Sequence, residues 1–186
     1  MIESILFPQK RCSVKAKLKI LIILSIVMIT CACNKATVEL EEINKVDEIV
    51  YDGLTLDQLS EKIEKNLNST ISGYGSVFAS KSIELGLDPY LAVSIMLHET
   101  GCKWTCSSLM QKCNNVGGMK GSPGCNGGSY KKFDTLEEGI DSFLNMLYNN
   151  YYAKGSTTPE QIGPRYAASP DWAKKVNNYI NQIKNS

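Results

Sequence analysis

The sequence predicts a mostly helical α+β domain, a helical body carrying a small loop or hairpin lobe. Three observations lead there. Apolar residues recur at helical spacing in several segments. Capping signals bracket most of those segments. One glycine- and cysteine-rich stretch, Cys102 to Ser129, interrupts them. A chain of 186 residues suits one domain with a real core.

The elements follow in order from residue 55. Thr55-x-x-Gln58 is a capping box. Leu56, Leu59, Ile63 and Leu67 then recur at helical spacing. Ile71 to Tyr74 reads as a turn, and Ser76 to Leu85 as a second helix stopped by Gly86. Asp88-Pro89 starts a third helix, with Asp88 as N-cap and Pro89 at the first helical position. This helix, to about Glu99, is apolar nearly all round, so it is expected to be buried. Cys102 to Ser129 reads as loop, with six glycines from Gly117 to Gly128. Tyr130 to Phe133 is expected as a short strand. Thr135-x-x-Glu138 is a capping box opening a helix through Ile140, Phe143, Leu144, Leu147 and Tyr151, ending near Gly155. Thr158-Pro159 starts a short helix, and Ser169-Pro170 the last one. Trp172, Val176, Tyr179, Ile180 and Ile183 form the apolar side of that last helix, so Trp172 is expected in the core. There is no internal repeat.

The N-terminus reads as a targeting segment. Lys10, Arg11, Lys15, Lys17 and Lys19 precede an uncharged run from Ile20 to Ile29. The run is about half the ~20 residues a spanning helix needs. A basic region before a short apolar one is the pattern of an export signal. Thr30-Cys31-Ala32-Cys33 follows and resembles a bacterial lipobox, with Cys33 as the lipidated residue and Thr30 where a leucine is usual. An uncleaved anchor and an ordinary signal peptide are the other readings. All three place the body of the protein outside the cytoplasm, and the lipid or uncleaved anchor holds it to the outer face of the bacterial cell membrane. The expected organisation is a signal at 1–33, an acidic linker at 34–54 and the domain at 55–186.

Residues 1–33 hold five of the 20 Lys and Arg and one of the 19 Asp and Glu, leaving 15 basic and 18 acidic groups in the remainder. That balance gives no field for nucleic-acid binding. Four of the seven cysteines, Cys102, Cys106, Cys113 and Cys125, cluster in the loop region. Outside the cell they suggest two disulfides, with three possible pairings. Their spacing lacks the paired knuckles of structural zinc sites, and a single histidine cannot build the usual His-rich catalytic zinc centre. No metal or cofactor is expected. The chain is expected to act as a monomer.

Glu99 is the most promising chemical group. Glycosidic cleavage needs a proton donor for the leaving oxygen, and a carboxyl keeps its proton near neutrality when burial disfavours the anion. A carboxylate at the end of an apolar helix suits that role, and the negative end of the helix dipole acts in the same direction. His98 lies about 100° round the helix from Glu99 and is expected to be structural. Trp104, Tyr130 and Trp172 are aromatic groups able to stack on sugars or to pack in the core.

Four ordered segments carry a resemblance. His98-Glu99-Thr100-Gly101, then Cys113-Asn114-Asn115-Val116-Gly117-Gly118-Met119-Lys120-Gly121, resemble the E-[ST]-G and N-N-x-[FG]-G-[IM]-K-G elements of the glucosaminidase family of peptidoglycan hydrolases. The segments Tyr130 to Ile140 and Tyr166 to Val176 are similar to that family's next two. Together they cover about half the chain. The resemblance implies a lysozyme-like fold with a cleft between body and lobe. It also implies cleavage of the β-1,4 bond after N-acetylglucosamine in peptidoglycan glycan strands. Glu99 is then the catalytic acid and Tyr166 the active-site tyrosine. Asn114, Asn115 and Gly118 shape the sugar site, with Tyr130 beside them. A second carboxylate is implied in the lobe, roughly 30 to 40 residues after the first. Asp134, Glu137 and Glu138 fall in that window; Glu138 has a capping duty and Glu137 sits in a solvated first turn, which leaves Asp134. The substrate's N-acetyl group, or water held by Tyr166, is the alternative. Two other classes stay open: a muramidase or lytic transglycosylase, because Ser107 to Gln111 resembles a G-L-M-Q element without its glycine, and a non-catalytic wall-binding lipoprotein.

Overall fold

A computed structural model describes residues 48–186. The expected export signal, Cys33 and the expected linker up to residue 47 lie outside the described residues. The described residues open with a hairpin, β1 (Ile49–Tyr51) and β2 (Leu54–Thr55), paired antiparallel. Asp52 and Gly53 turn it with φ of 50° and 74°, the double left-handed geometry of a tight hairpin. Tyr51 meets Tyr90 edge-on at 5.0 Å, and the Tyr90 hydroxyl donates to Asp52 Oδ2 at 3.3 Å. Residues 48–54 are therefore structured, where composition suggested linker. An Asp-Gly turn and one aromatic contact supply the order.

Seven helices follow. In α1 (Leu56–Glu64) both capping-box bonds form, Gln58 N–H to Thr55 Oγ1 at 3.3 Å and Thr55 N–H to Gln58 Oε1 at 3.0 Å. Helix α2 (Gly75–Leu85) ends where Gly86 turns left-handed, at φ 67°. It crosses α1 so closely that a Cβ on Gly75 would sit 2.6 Å from the Ser60 carbonyl oxygen. Helix α3 (Pro89–Thr100) is the hub. Asp88 Oδ1 accepts from the N–H groups of Tyr90 and Leu91, and every residue from Pro89 to Leu97 is buried. Burial of each large apolar side chain there contributes about 1.5–3 kcal/mol. Helix α3 packs on α2 and on the last helix.

The segment read as loop contains a further helix, α4 (Ser108–Cys113), capped by Ser107 Oγ. Disulfides join Cys102 to Cys106 and Cys113 to Cys125, which selects one of the three pairings. The strand expected at Tyr130 to Phe133 does not form; only single bridges pair Lys120 with Tyr130 and Gly124 with Lys131. Successive N–H groups there reach three different segments: Lys131 to Met119 O, Lys132 to Pro123 O and Phe133 to Cys113 O. No continuous ladder can grow from such divergent partners.

Helix α5 (Leu136–Asn150) is capped by Thr135, which accepts from Glu138 N–H. The Glu138 carboxylate reaches one residue further back than a capping box requires, accepting from Asp134 N–H at 3.0 Å. Helix α6 (Pro159–Tyr166) has a complete capping box between Thr158 and Gln161. Helix α7 (Trp172–Lys184) begins after Asp171, slightly later than the Ser169-Pro170 signal suggested. The described residues form a mostly helical α+β domain whose one paired sheet is the N-terminal hairpin. Its core runs through α3, α5 and the inner face of α7.

Candidate active site

Glu99 stands in the last turn of α3, before Gly101 ends the helix at φ 69°. Its side chain is exposed. The sheltered carboxyl suggested by the apolar helix is therefore absent from the free protein, because α3 runs out of cover in its last turn. One oxygen is nevertheless fixed. Trp172, the first residue of α7, donates its indole Nε1–H to Glu99 Oε1 at 3.0 Å. The other oxygen, Oε2, faces the glycine loop: a Cβ on Gly118 would lie 3.9 Å from it. A side chain at Gly118 is doubly disfavoured, since its φ is +61°.

Tyr166 closes α6 and stacks on Trp172, with ring centroids 5.0 Å apart and planes at 29°. Its hydroxyl donates to the Gly117 carbonyl at 3.3 Å. Burial first, then the Glu99 charge and the neighbouring Tyr151, push its pKa well above the ordinary phenol range. Tyr166 therefore remains a neutral hydroxyl across the physiological range. Trp172 and Tyr166 thus tie the acid and the loop into one assembly.

The loop itself is built by its two asparagines. Asn115 is fully buried. Its Nδ2 donates to the carbonyls of Met119 and Lys131, each at 2.8 Å, and its Oδ1 accepts from Met119 N–H at 2.9 Å and Gly117 N–H at 3.4 Å. Asn114 ends α4 with a left-handed φ of 52° and donates from Nδ2 to the carbonyls of Phe133 and Asp134. Both side-chain amides serve the scaffold of the glycine loop, and Asn115 has no polar atom left facing outward. Glycine is required at 117, because any Cβ would run into the Phe143 ring. It is required at 139 too, where a Cβ would strike the Asn114 carbonyl.

The other predicted residues fall around this centre. Tyr130 is exposed at the lobe, its backbone bridged to Lys120. Asp134 is exposed, and its backbone is bonded to both Asn114 and Glu138. Glu138 is committed to that backbone, and Glu137 is exposed in the first turn of α5, its charge raising the pKa of Tyr74 after burial. His98 is half-buried against Trp172 and Tyr179, each 6.4 Å away between ring centroids. Burial lowers its pKa; Glu99 opposes the shift and Lys175 adds to it. Trp172 is core, as its periodicity suggested, yet it also holds the acid. A buried indole N–H needs an acceptor; that need is the one sequence signal that could have pointed to a second duty.

A family model described as mannosyl-glycoprotein endo-beta-N-acetylglucosaminidase, the glucosaminidase model, matches residues 75–185. The chain belongs to the glucosaminidase family. The match runs from the start of α2 past the end of α7 and takes in Glu99, Trp172, Tyr166 and the whole glycine loop. The glucosaminidase fold thus carries a glycoside hydrolase of the peptidoglycan-cleaving type. The hairpin and α1 precede the matched span. No curated protein matches the chain.

Proposed function

We propose that this glucosaminidase is an exported endo-β-N-acetylglucosaminidase, held to the outer face of the membrane through Cys33, that cuts the β-1,4 bond after N-acetylglucosamine with Glu99 as general acid. One observation carries the reading. Glu99 has one oxygen held by a buried indole and the other facing a glycine loop that lets a sugar ring approach closely. The proton resides on Oε2, since Oε1 already accepts from Trp172. Transfer from Oε2 to the glycosidic oxygen releases the leaving sugar. The bound glycan supplies the shelter from water that the free site lacks.

Tyr166, a neutral hydroxyl beside the loop carbonyl, orients the acceptor side of the ring. Asp134 is the second carboxylate, because Glu138 is committed to the Asp134 backbone and Glu137 sits in a solvated first turn. It stabilises the oxocarbenium-like centre until a water oxygen bonds the anomeric carbon and that water's proton returns to Glu99. The two disulfides fit an oxidising compartment, in keeping with export. Action as a monomer follows from a site assembled within one chain.

Glu99→Gln keeps the shape of the side chain and removes the transferable proton. It is expected to abolish lysis in a peptidoglycan overlay gel while the far-UV spectrum is unchanged. The new reducing ends released by the wild type should be N-acetylglucosamine. Muramic or anhydro ends would reassign the bond, and full lysis by folded Glu99→Gln would remove the acid from Glu99.

A further inference from the structure

A second concave surface lies beside the acid. It is a groove of ≈ 270 Å³ with His98 in its lining, flanked by Trp104 and by Lys103, Lys175, Tyr179 and Gln182. His98 and Glu99 are consecutive on α3, so the groove opens roughly 100° round the helix from the acid. A linear glycan passing Glu99 would not enter it. A branch leaving that glycan would.

Three features mark it as a built surface. Trp104 is 72% exposed, the most solvent-accessible large aromatic of the described residues. It is nevertheless presented by a fixed loop. The Cys102–Cys106 disulfide closes the loop, Asn68 N–H bonds the Cys102 carbonyl at 2.9 Å, and Gln111 Nε2 bonds the Cys106 carbonyl. Trp104 N–H bonds the Gly101 carbonyl at 3.0 Å, tying the same loop to the end of α3. An exposed indole on such a frame loses little freedom when it binds.

The second feature is charge. The lining holds two lysines and no carboxylate, on a chain whose residues after 33 are net acidic. Among the described residues the single ion pair is Lys81 with Asp141, so no described carboxylate pairs with either groove lysine. Lys103 Nζ is instead held by neutral acceptors, Gln182 Oε1 at 2.7 Å and Asn66 Oδ1 at 3.4 Å. Those bonds fix its position. The third feature is the floor: partial burial and Lys175 disfavour a proton on His98, so it does not compete as a cation near neutrality.

We propose that this groove binds the anionic peptide branch of the glycan strand, its carboxylates on Lys103 and Lys175 and its aliphatic part against Trp104. This deepens the hydrolase reading and rests on it: the sugar at Glu99 and the peptide in the groove belong to one substrate. The groove then selects peptide-bearing strands over bare ones.

The test compares wild type, Trp104→Ala and the double variant Lys103→Gln/Lys175→Gln on two soluble substrates. One is glycan strands with stem peptides, the other the same strands stripped by an amidase. On peptide-bearing strands each variant should raise KM about fivefold, as expected for losing exposed charge pairs or an aromatic contact. On stripped strands KM should be unchanged, and kcat should be unchanged on both. An equal rise on both substrates, or none on either, overturns the proposal. A synthetic stem tetrapeptide with free carboxylates gives a readout independent of catalysis. It should quench the fluorescence of Trp104 saturably in the wild type, and the midpoint should move at least fivefold higher in the lysine double variant. No quenching in the wild type overturns the proposal. A wild type that binds the tetrapeptide but cleaves neither strand refutes the hydrolase reading alone.

Discussion

Trp172→Phe isolates the bond that holds the acid. Phenylalanine keeps an aromatic ring against Tyr166 and deletes, with the fused second ring, the Nε1–H that lies 3.0 Å from Glu99 Oε1. A hydrogen bond to a charged group contributes about 1.5–3 kcal/mol. Because Glu99 is exposed, the low end applies, about 1.5 kcal/mol. An unheld carboxyl samples more orientations, and at about 1.4 kcal/mol per factor of ten kcat should fall about tenfold. The assay is kcat and kcat/KM between pH 4 and pH 9 on soluble strands, with the melting temperature measured alongside. Trp172 is 2% exposed, and the smaller ring should cost about 1–2 kcal/mol of stability. A fall in rate that only tracks a loss of folded protein, with kcat per folded molecule unchanged, would mean Trp172 is merely structural. An unchanged profile and an unchanged rate would mean the bond does not form in the working enzyme.

Two more outcomes follow from the same geometry. Asp134→Asn should lower kcat about a hundredfold with KM little changed if the lobe carboxylate faces the reacting sugar; activity within twofold of wild type would pass its role to the substrate's N-acetyl group. Asn115→Ala should cost about 3 kcal/mol in urea unfolding, because it orphans the Lys131 carbonyl and the Met119 N–H and leaves the Met119 carbonyl with the Lys131 N–H alone. A loss under 1 kcal/mol would show that water replaces the amide.

Much of the body was legible from local signals. Asp88-Pro89, Thr55-x-x-Gln58 and Thr158-Pro159 each mark a helix start that the structure keeps, because capping bonds join residues only a few positions apart. Gly86 and Gly101 mark stops for the same reason. The lobe was harder. A strand pattern at Tyr130 to Phe133 depends on what lies opposite, and here three unrelated segments take the N–H groups in turn. Helix α4 was hidden because only a few of its residues are apolar and its cap is one serine. The hairpin at 49–55 was masked by the acidic composition around it.

Glu99 divides the two kinds of knowledge most clearly. The sequence by itself determined that a carboxylate ends an apolar helix, that an Asn-Asn-Val-Gly-Gly loop follows, and that the order of motifs is that of a glucosaminidase. Periodicity and nearest-neighbour chemistry are enough for those statements. Only the tertiary structure decided that the carboxylate is exposed, that Trp172 holds one of its oxygens from 73 residues away, and that Asn115 is spent inside the loop. It also placed Trp104, Lys103 and Lys175 around one groove. Each of these facts depends on two distant segments meeting, and packing across a core sets where a side chain points more than its own neighbours do.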